Sequence, residues 1–173
     1  ILFGVRDIGK PKAERAQNRL KDLNPELEIR AVTKALTDDG DDILAGSDLV
    51  IDCLDNFETR HAANRWCWKH RVPLIHAGIR DFYGQLLFIR PPDSPCLACF
   101  LPPTDPTEGV PPVAGITAGV VGSLQATEAL KYLGGIHEVE AGVLRMIDCR
   151  SMQIDSLTLQ RRSDCPVCGG GLK

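Results

Sequence analysis

The chain carries no excess of positive charge. Its 20 Lys and Arg are outnumbered by 23 Asp and Glu, for a net charge of −3. A protein without a basic face is not a general nucleic-acid binder. No apolar run approaches the ~20 residues that a bilayer-spanning helix needs. Neither a Gly-x-Gly-x-x-Gly fingerprint nor a Walker A sequence occurs, so neither familiar glycine-rich phosphate loop is written in these residues. No Ser-His-Asp arrangement stands out, and His61, His70, His76 and His137 follow no ligand spacing. Internal repeats and low-complexity tracts are missing. So is an initiator methionine: the chain opens on Ile1-Leu2-Phe3-Gly4 as if in mid-domain, which leads us to expect further sequence upstream.

What is present is ordinary globular composition, with 43% hydrophobic and 25% charged residues in 173, enough for one domain with its own core. The seven cysteines are an odd number, and four fall in two Cys-x-x-Cys knuckles, Cys96-Leu97-Ala98-Cys99 and Cys165-Pro166-Val167-Cys168. Two thiolates at this spacing can bite one metal, and four make the tetrahedral Cys₄ set that structural zinc prefers. About 65 residues separate the knuckles, far more than in a zinc finger. A zinc ion here would staple the C-terminal tail onto the middle of a larger domain. Two disulfides, or thiols that merely pack, are the competing readings. Metal-type pairs favour a reducing cytoplasm.

Taken in order, residues 1–10 read as a loop and Pro11 as the first turn of a helix that runs to Leu23, stopped by Asn24-Pro25. Glu28 to Val32 alternates like a short strand. Asp38 to Asp42 reads as a turn into a short helix over 41–46. Residues 48–53 have an apolar centre without alternation, as in a parallel strand buried on both faces. A helix over Phe57–His70, a buried strand over 72–77 and an antiparallel extension over 83–90 follow. Pro91 to Val113 is a proline-rich loop interrupted by the first knuckle. Ile116 to Leu133 reads as a long apolar helix with Gly115, Gly119 and Gly122 at close-packing spacing, ended by Gly134-Gly135. A hairpin over 143–148 and 153–159 precedes the second knuckle. The pattern predicts a single domain of α/β class: a Rossmann-like, mostly parallel sheet with helices on both faces and antiparallel C-terminal strands.

Ligands in such sheets sit beyond the carboxyl ends of the strands. That singles out the end of strand 48–53, with Asp52, Asp55 and Asn56. Asp55 can hold Mg²⁺ while nucleotide phosphates complete its shell. Alternatively, Asp55 or Asn56 caps the next helix, and the two roles can be divided between the neighbours. Lys12 lies in the first turn of the first helix, an unfavourable place for a cation unless it serves a phosphate; a solvated surface lysine is the plainer reading. His76, in an apolar strand, reads as a satisfied core residue, and Cys53, Cys67 and Cys149 as structural thiols.

Gly9-Lys10-Pro11-Lys12-Ala13, Leu23-Asn24-Pro25 and Asp52-Cys53-Leu54-Asp55-Asn56-Phe57-Glu58-Thr59-Arg60 together resemble the ThiF/MoeB/HesA family, bacterial relatives of ubiquitin-activating enzymes. The two knuckles and Gly122-Ser123-Leu124-Gln125-Ala126 with Glu128, Ala129 and Lys131 extend the likeness over nearly the whole chain in the right order. The resemblance implies an adenylyltransferase that uses ATP and Mg²⁺ to adenylate the C-terminal glycine of a ubiquitin-like protein, often a sulfur carrier with a Gly-Gly end. It implies that Lys12 contacts the ATP phosphates, Asp55 holds Mg²⁺, and Asn56 and Arg60 shape the nucleotide end. Ala35 and Leu36 would line the adenine pocket, and Cys96, Cys99, Cys165 and Cys168 would hold zinc. The loop Pro102–Pro112 would border the channel for the partner's tail. A homodimer is implied as well.

Two departures qualify this. The family's glycine-rich loop, its ribose-binding Asp and its Asn-Arg-Gln motif normally precede the stretch seen here, so weak or no ATP turnover is expected of the chain as it stands. Residues 107–118 contain no cysteine, which favours a member that hands its acyl-adenylate to another protein. A zinc-stapled pseudoenzyme that binds a ubiquitin-like partner without turnover is the alternative. A nicotinamide-dependent oxidoreductase is a third reading, disfavoured by Asp55-Asn56 and the knuckles.

Overall fold

The computed structural model describes residues 2–37, 40–102 and 112–170. By contact the chain divides into two compact units, residues 1–36 and 37–173.

The first unit holds a single turn of 3-10 helix, Val5–Asp7, and helix α1, Lys12–Leu23. Pro11 stands one residue earlier than expected, at the N-cap. There its fixed φ costs nothing, and its missing N–H leaves no donor orphaned. Asn24 turns the chain out of α1, its backbone N–H still bonded to Leu20 O and its side chain accepting from Glu26 N at 3.0 Å. The Gln17 side chain then ties the helix to Ile29 O. The expected strand over 28–32 does not form. Alternation favours an extended chain, but a strand also needs a ladder partner, and the described residues of this unit include no other strand.

The second unit is built on a five-stranded sheet in the order β1-β2-β3-β4-β5. Its strands are β1 (Val50–Asp52), β2 (Leu74–Arg80), β3 (Tyr83–Ile89), β4 (Val143–Asp148) and β5 (Gln153–Thr158). Short helix α2 (Asp41–Leu44) precedes β1, and α3 (Phe57–His70) connects β1 to β2. The first knuckle forms α4 (Leu97–Phe100), and α5 (Gly115–Gly134) precedes β4. None of these helices is long and apolar enough to cross a membrane, among the described residues.

The α/β class, the helices on both faces and the antiparallel C-terminal strands are all present. The expectation of a mostly parallel sheet is corrected: of the four ladders between named strands, that of β1 with β2 is parallel and the other three are antiparallel. Connection length explains the difference. A crossover helix, α3, fits between β1 and β2, whereas Arg80 pairs directly with Tyr83 across a two-residue turn, which permits only the antiparallel arrangement.

Neither β2 nor β3 alternates in polarity because both faces are covered. Leu74, Leu87, Ile89 and Leu144 pack with Trp66 and Cys67 of α3. Ile75, Ala77, Leu86, Phe88 and Ile147 pack with Val121 and Ala129 of α5. The close approach of α5 to the sheet is made at Gly84. A Cβ there would lie 2.3 Å from Val121 Cγ2. Gly115, Gly119 and Gly122 were the glycines expected to serve close packing. They instead share an outward face of α5 with exposed Ile116 and Val120, and a Cβ on any of them would meet nothing within 4 Å.

Two predictions follow from this packing. Gly84→Ala forces Val121 and its helix off the sheet, at an expected cost of about 1–3 kcal/mol, read as a lowered denaturant midpoint with an unchanged slope. The second concerns His61 of α3, which is 3% exposed, and neither of its ring nitrogens has a hydrogen-bond partner. Burial lowers its pKa below 6.5, and Arg65 and His76 add to this. The unfolded chain therefore binds this proton more readily. The His61 contribution to stability is fully present above about pH 6.5 and is lost as pH falls through the lower folded value. His61→Met should flatten that part of the stability profile; a slope as steep as that of the parent would refute the assignment.

Candidate functional site

Asp52, at the carboxyl end of β1, is 2% exposed, and a carboxylate so buried must be paired. Its Oδ1 accepts from Leu54 N at 2.8 Å, its Oδ2 lies 2.6 Å from His76 Nδ1, and Arg60 Nε stands 3.8 Å from the same oxygen. His76 is its direct neighbour across the parallel ladder and is itself fully buried. The second ring nitrogen of His76 lies 3.2 Å from Gln85 Nε2 on β3. His76 is thus a satisfied core residue, as its apolar surroundings suggested. From the other side, Gln125 of α5 donates to Asp52 O at 2.9 Å and reaches Ile75 O at 3.4 Å. The motif containing Gln125 was visible in the sequence, but its bond to the end of β1 was not.

The chain then turns into α3. Asn56 is the N-cap, extended at φ −131°, and its Oδ1 accepts from Thr59 N at 2.9 Å. Arg60 folds back one turn later to donate to Leu54 O, with Nε at 3.0 Å and a second, shorter bond from its terminal nitrogen. The capping role therefore falls to Asn56. Asp55 is left exposed, its carboxylate touched by the Asn56 amide at 3.3 Å. A solvated carboxylate on a fixed turn has the chemistry that a hard, partly hydrated divalent cation requires. Lys12, exposed at the start of α1, and Ala35 and Leu36 at the end of the first unit lie in the other compact unit.

The four knuckle cysteines come together. Their Sγ atoms all lie within 4.8 Å of one another, with Cys96 to Cys165 at 3.6 Å and Cys99 to Cys168 at 3.2 Å. A disulfide needs about 2.05 Å, whereas four sulfurs bound tetrahedrally at about 2.3 Å from zinc stand about 3.8 Å apart. The spacing fits a metal, and all seven cysteines are free. Burial raises the Cys96 thiol above its ordinary value, with Cys168 and Cys165 adding to the effect. Burial works to raise Cys165, but the N–H groups of Cys168 and Val167 together with hydrogen bonds from the Cys96 and Cys168 thiols outweigh it and bring that thiol to about 7. Gly169 closes the second knuckle, where a Cβ would collide with Cys165 N at 2.4 Å. Trp68 of α3 packs on this cluster, and Arg161 lies over its ring at 4.8 Å while donating to Cys168 O.

Of the expected proline-rich channel border, residues 103–111 lie outside the described residues.

Residues 1–167 match the ThiF family. The chain belongs to that family. It is 43% identical to the sulfur carrier protein ThiS adenylyltransferase of Escherichia coli K12, over 98% of this chain and 69% of that one. It is 38% identical to the SAMP-activating enzyme E1 of Haloferax volcanii, over 95% of this chain and 63% of that one. The crystal structure of E. coli MccB with ATP superposes with a TM-score of 0.83 at 20% identity, over 98% of this chain and 53% of that one. That likeness concerns the fold. The chain thus spans roughly half to two thirds of the length of the proteins it matches.

The cysteine cluster generates a direct test. The purified protein should bind one zinc per chain. Chelation should speed hydrogen exchange in residues 160–170 and lower the thermal midpoint by on the order of 5–15 °C, at about 2–4 °C per kcal/mol for a domain of this size. An unchanged midpoint after verified metal loss would remove the staple.

Proposed function

We propose that this ThiF-family chain is the core of an adenylyltransferase that uses ATP to activate the C-terminal glycine of a ubiquitin-like sulfur-carrier protein ending in Gly-Gly, with release of pyrophosphate. The names of its relatives support the reaction class, and the turn after β1 supports the placement of the chemistry. The observation that carries the reading is Asp55: an exposed carboxylate at the carboxyl end of the parallel strand, relieved of capping by Asn56 and held in place by the Arg60 anchor.

In this reading two anions, a carboxylate and a triphosphate, must approach each other. Mg²⁺ bound at Asp55 supplies the charge that offsets their repulsion and that of the departing pyrophosphate. The family resemblance would give Lys12 the phosphates and Ala35 and Leu36 the adenine, while Asn56 and Arg60 would fix the nucleotide end of the turn after β1. The substrate carboxylate attacks the phosphorus itself, so no protein nucleophile is required. Cys96, Cys99, Cys165 and Cys168 would hold a zinc that keeps the tail docked, with no part in the chemistry. The reading includes a homodimer in a reducing cytoplasm. With no cysteine between 107 and 118, the acyl-adenylate passes to another protein.

The experiment is carrier-dependent exchange of labelled pyrophosphate into ATP by the full-length protein. Asp55→Ala should reduce exchange by at least 10²-fold with an unchanged circular dichroism spectrum. Exchange at the parental rate would remove Asp55 from the mechanism. Absence of exchange in the parent, with carrier binding retained, would favour the pseudoenzyme scaffold.

A further inference from the structure

Asp55 is exposed and makes few bonds of its own, so something else must hold the turn that presents it. The bonds that do so converge on Asp52, and Asp52 is held by His76. The Gln85 amide nitrogen faces His76 Nε2 at 3.2 Å, which makes Nε2 the acceptor and places the imidazole proton on Nδ1, 2.6 Å from Asp52 Oδ2. With Oδ2 engaged, Oδ1 is free to receive Leu54 N. Leu54 O in turn receives Arg60. Gly78 keeps this space open: a Cβ there would lie 2.8 Å from Gln85 Nε2 and 3.3 Å from an Arg60 terminal nitrogen. The chain of contacts runs Gln85, His76, Asp52, then Leu54 and Arg60. It enters the turn from both sides, and Asp55 follows Leu54 directly.

We propose that His76 is a positioning residue: wedged between Gln85 and Asp52, it fixes the Asp52 carboxylate and, through Leu54 and Arg60, the direction in which Asp55 presents its own carboxylate to a divalent cation. The role needs one neutral donor aimed at Asp52 Oδ2 and one acceptor aimed at Gln85, which a neutral imidazole supplies from a single rigid ring. The ionisable neighbours are Asp52, Arg60 and His61. The proposal rests on the reading of Asp55 as the cation site given above, and it adds that the site's affinity is set from β2 and β3, outside the turn.

The test titrates Mn²⁺ into the purified protein with ATP and follows free Mn²⁺ by electron paramagnetic resonance. Four variants are compared with the parent: His76→Leu, His76→Gln, Gln85→Leu and Asp55→Ala. Leu144→Ala, a buried β4 residue, serves as a control for general loss of stability. His76→Leu should weaken Mn²⁺ binding about tenfold or more beyond the control and speed hydrogen exchange at the Leu54 amide. His76→Gln, which keeps a donor for Asp52, should recover most of both, and Gln85→Leu should fall between them. If His76→Leu does not fold, the last two variants carry the comparison. Parental Mn²⁺ affinity in the His76 and Gln85 variants, with loss in Asp55→Ala, would overturn the positioning role and leave the proposed function standing. Parental affinity in Asp55→Ala would overturn both.

Discussion

A carboxylate taken out of water costs several kcal/mol unless its partners are in place, and Asp52 is such a group. Its partners come from separate elements: the backbone of the β1–α3 turn, Arg60 of α3, His76 of β2 and, through its carbonyl, Gln125 of α5. The bonds from His76 and Gln125 cannot form until β1 lies beside β2 and α5 is seated on the sheet. β1 is only three residues long and has one ladder, with β2. The buried residue supplies what so short a strand cannot, a set of bonds that reach β2, α3 and α5. The geometry of the site is therefore a consequence of folding around one ion.

Helix α3 carries this constraint across the molecule. Its first turns hold Asn56 and Arg60 at the site, and its last turns place Trp68 against the cysteine cluster. Between them Asn64 is buried and accepts from Leu97 N at 2.9 Å, tying the helix to the start of the first knuckle. A metal at the four sulfurs would thus act on the same rigid rod that bears the capping and anchoring groups. Among the described residues the tail contributes none to the turn after β1, yet it packs on the helix that frames the turn through Trp68.

Much of this was legible in the residues. α3 spans the Phe57–His70 expected of it, and the knuckle spacing pointed to the four-sulfur cluster with disulfides and packed thiols as competing readings. Other features were out of reach of local pattern. The 28–32 segment has a strand's alternation, but strand formation depends on a partner that alternation does not report. The parallel character inferred for the sheet rested on two expected strand-helix-strand units; the strand at 28–32 did not form, and the two-residue β2–β3 turn reversed the direction after the second. The Asp52–His76 pair joins residues 24 positions apart. A signal for it did exist. Each is a polar residue in an apolar strand, and a helix of crossover length separates the strands, so a parallel register could set them side by side.

The two carboxylates of the motif show why that pairing matters. Asp52 and Asp55 are three residues apart, yet one is buried and fully bonded while the other is exposed and nearly free. The backbone causes the division: the strand fixes the first side chain between sheet and helix, and the turn then swings the chain outward before Asn56 starts α3. A hard cation exchanges water and phosphate ligands readily only at a carboxylate that is not already saturated with protein donors. It binds tightly only if that carboxylate does not have to be ordered on binding. Burying one acid to immobilise the turn, and exposing the other upon it, meets both requirements. A single carboxylate at this strand end could satisfy the rigidity or the solvation, but not the two together.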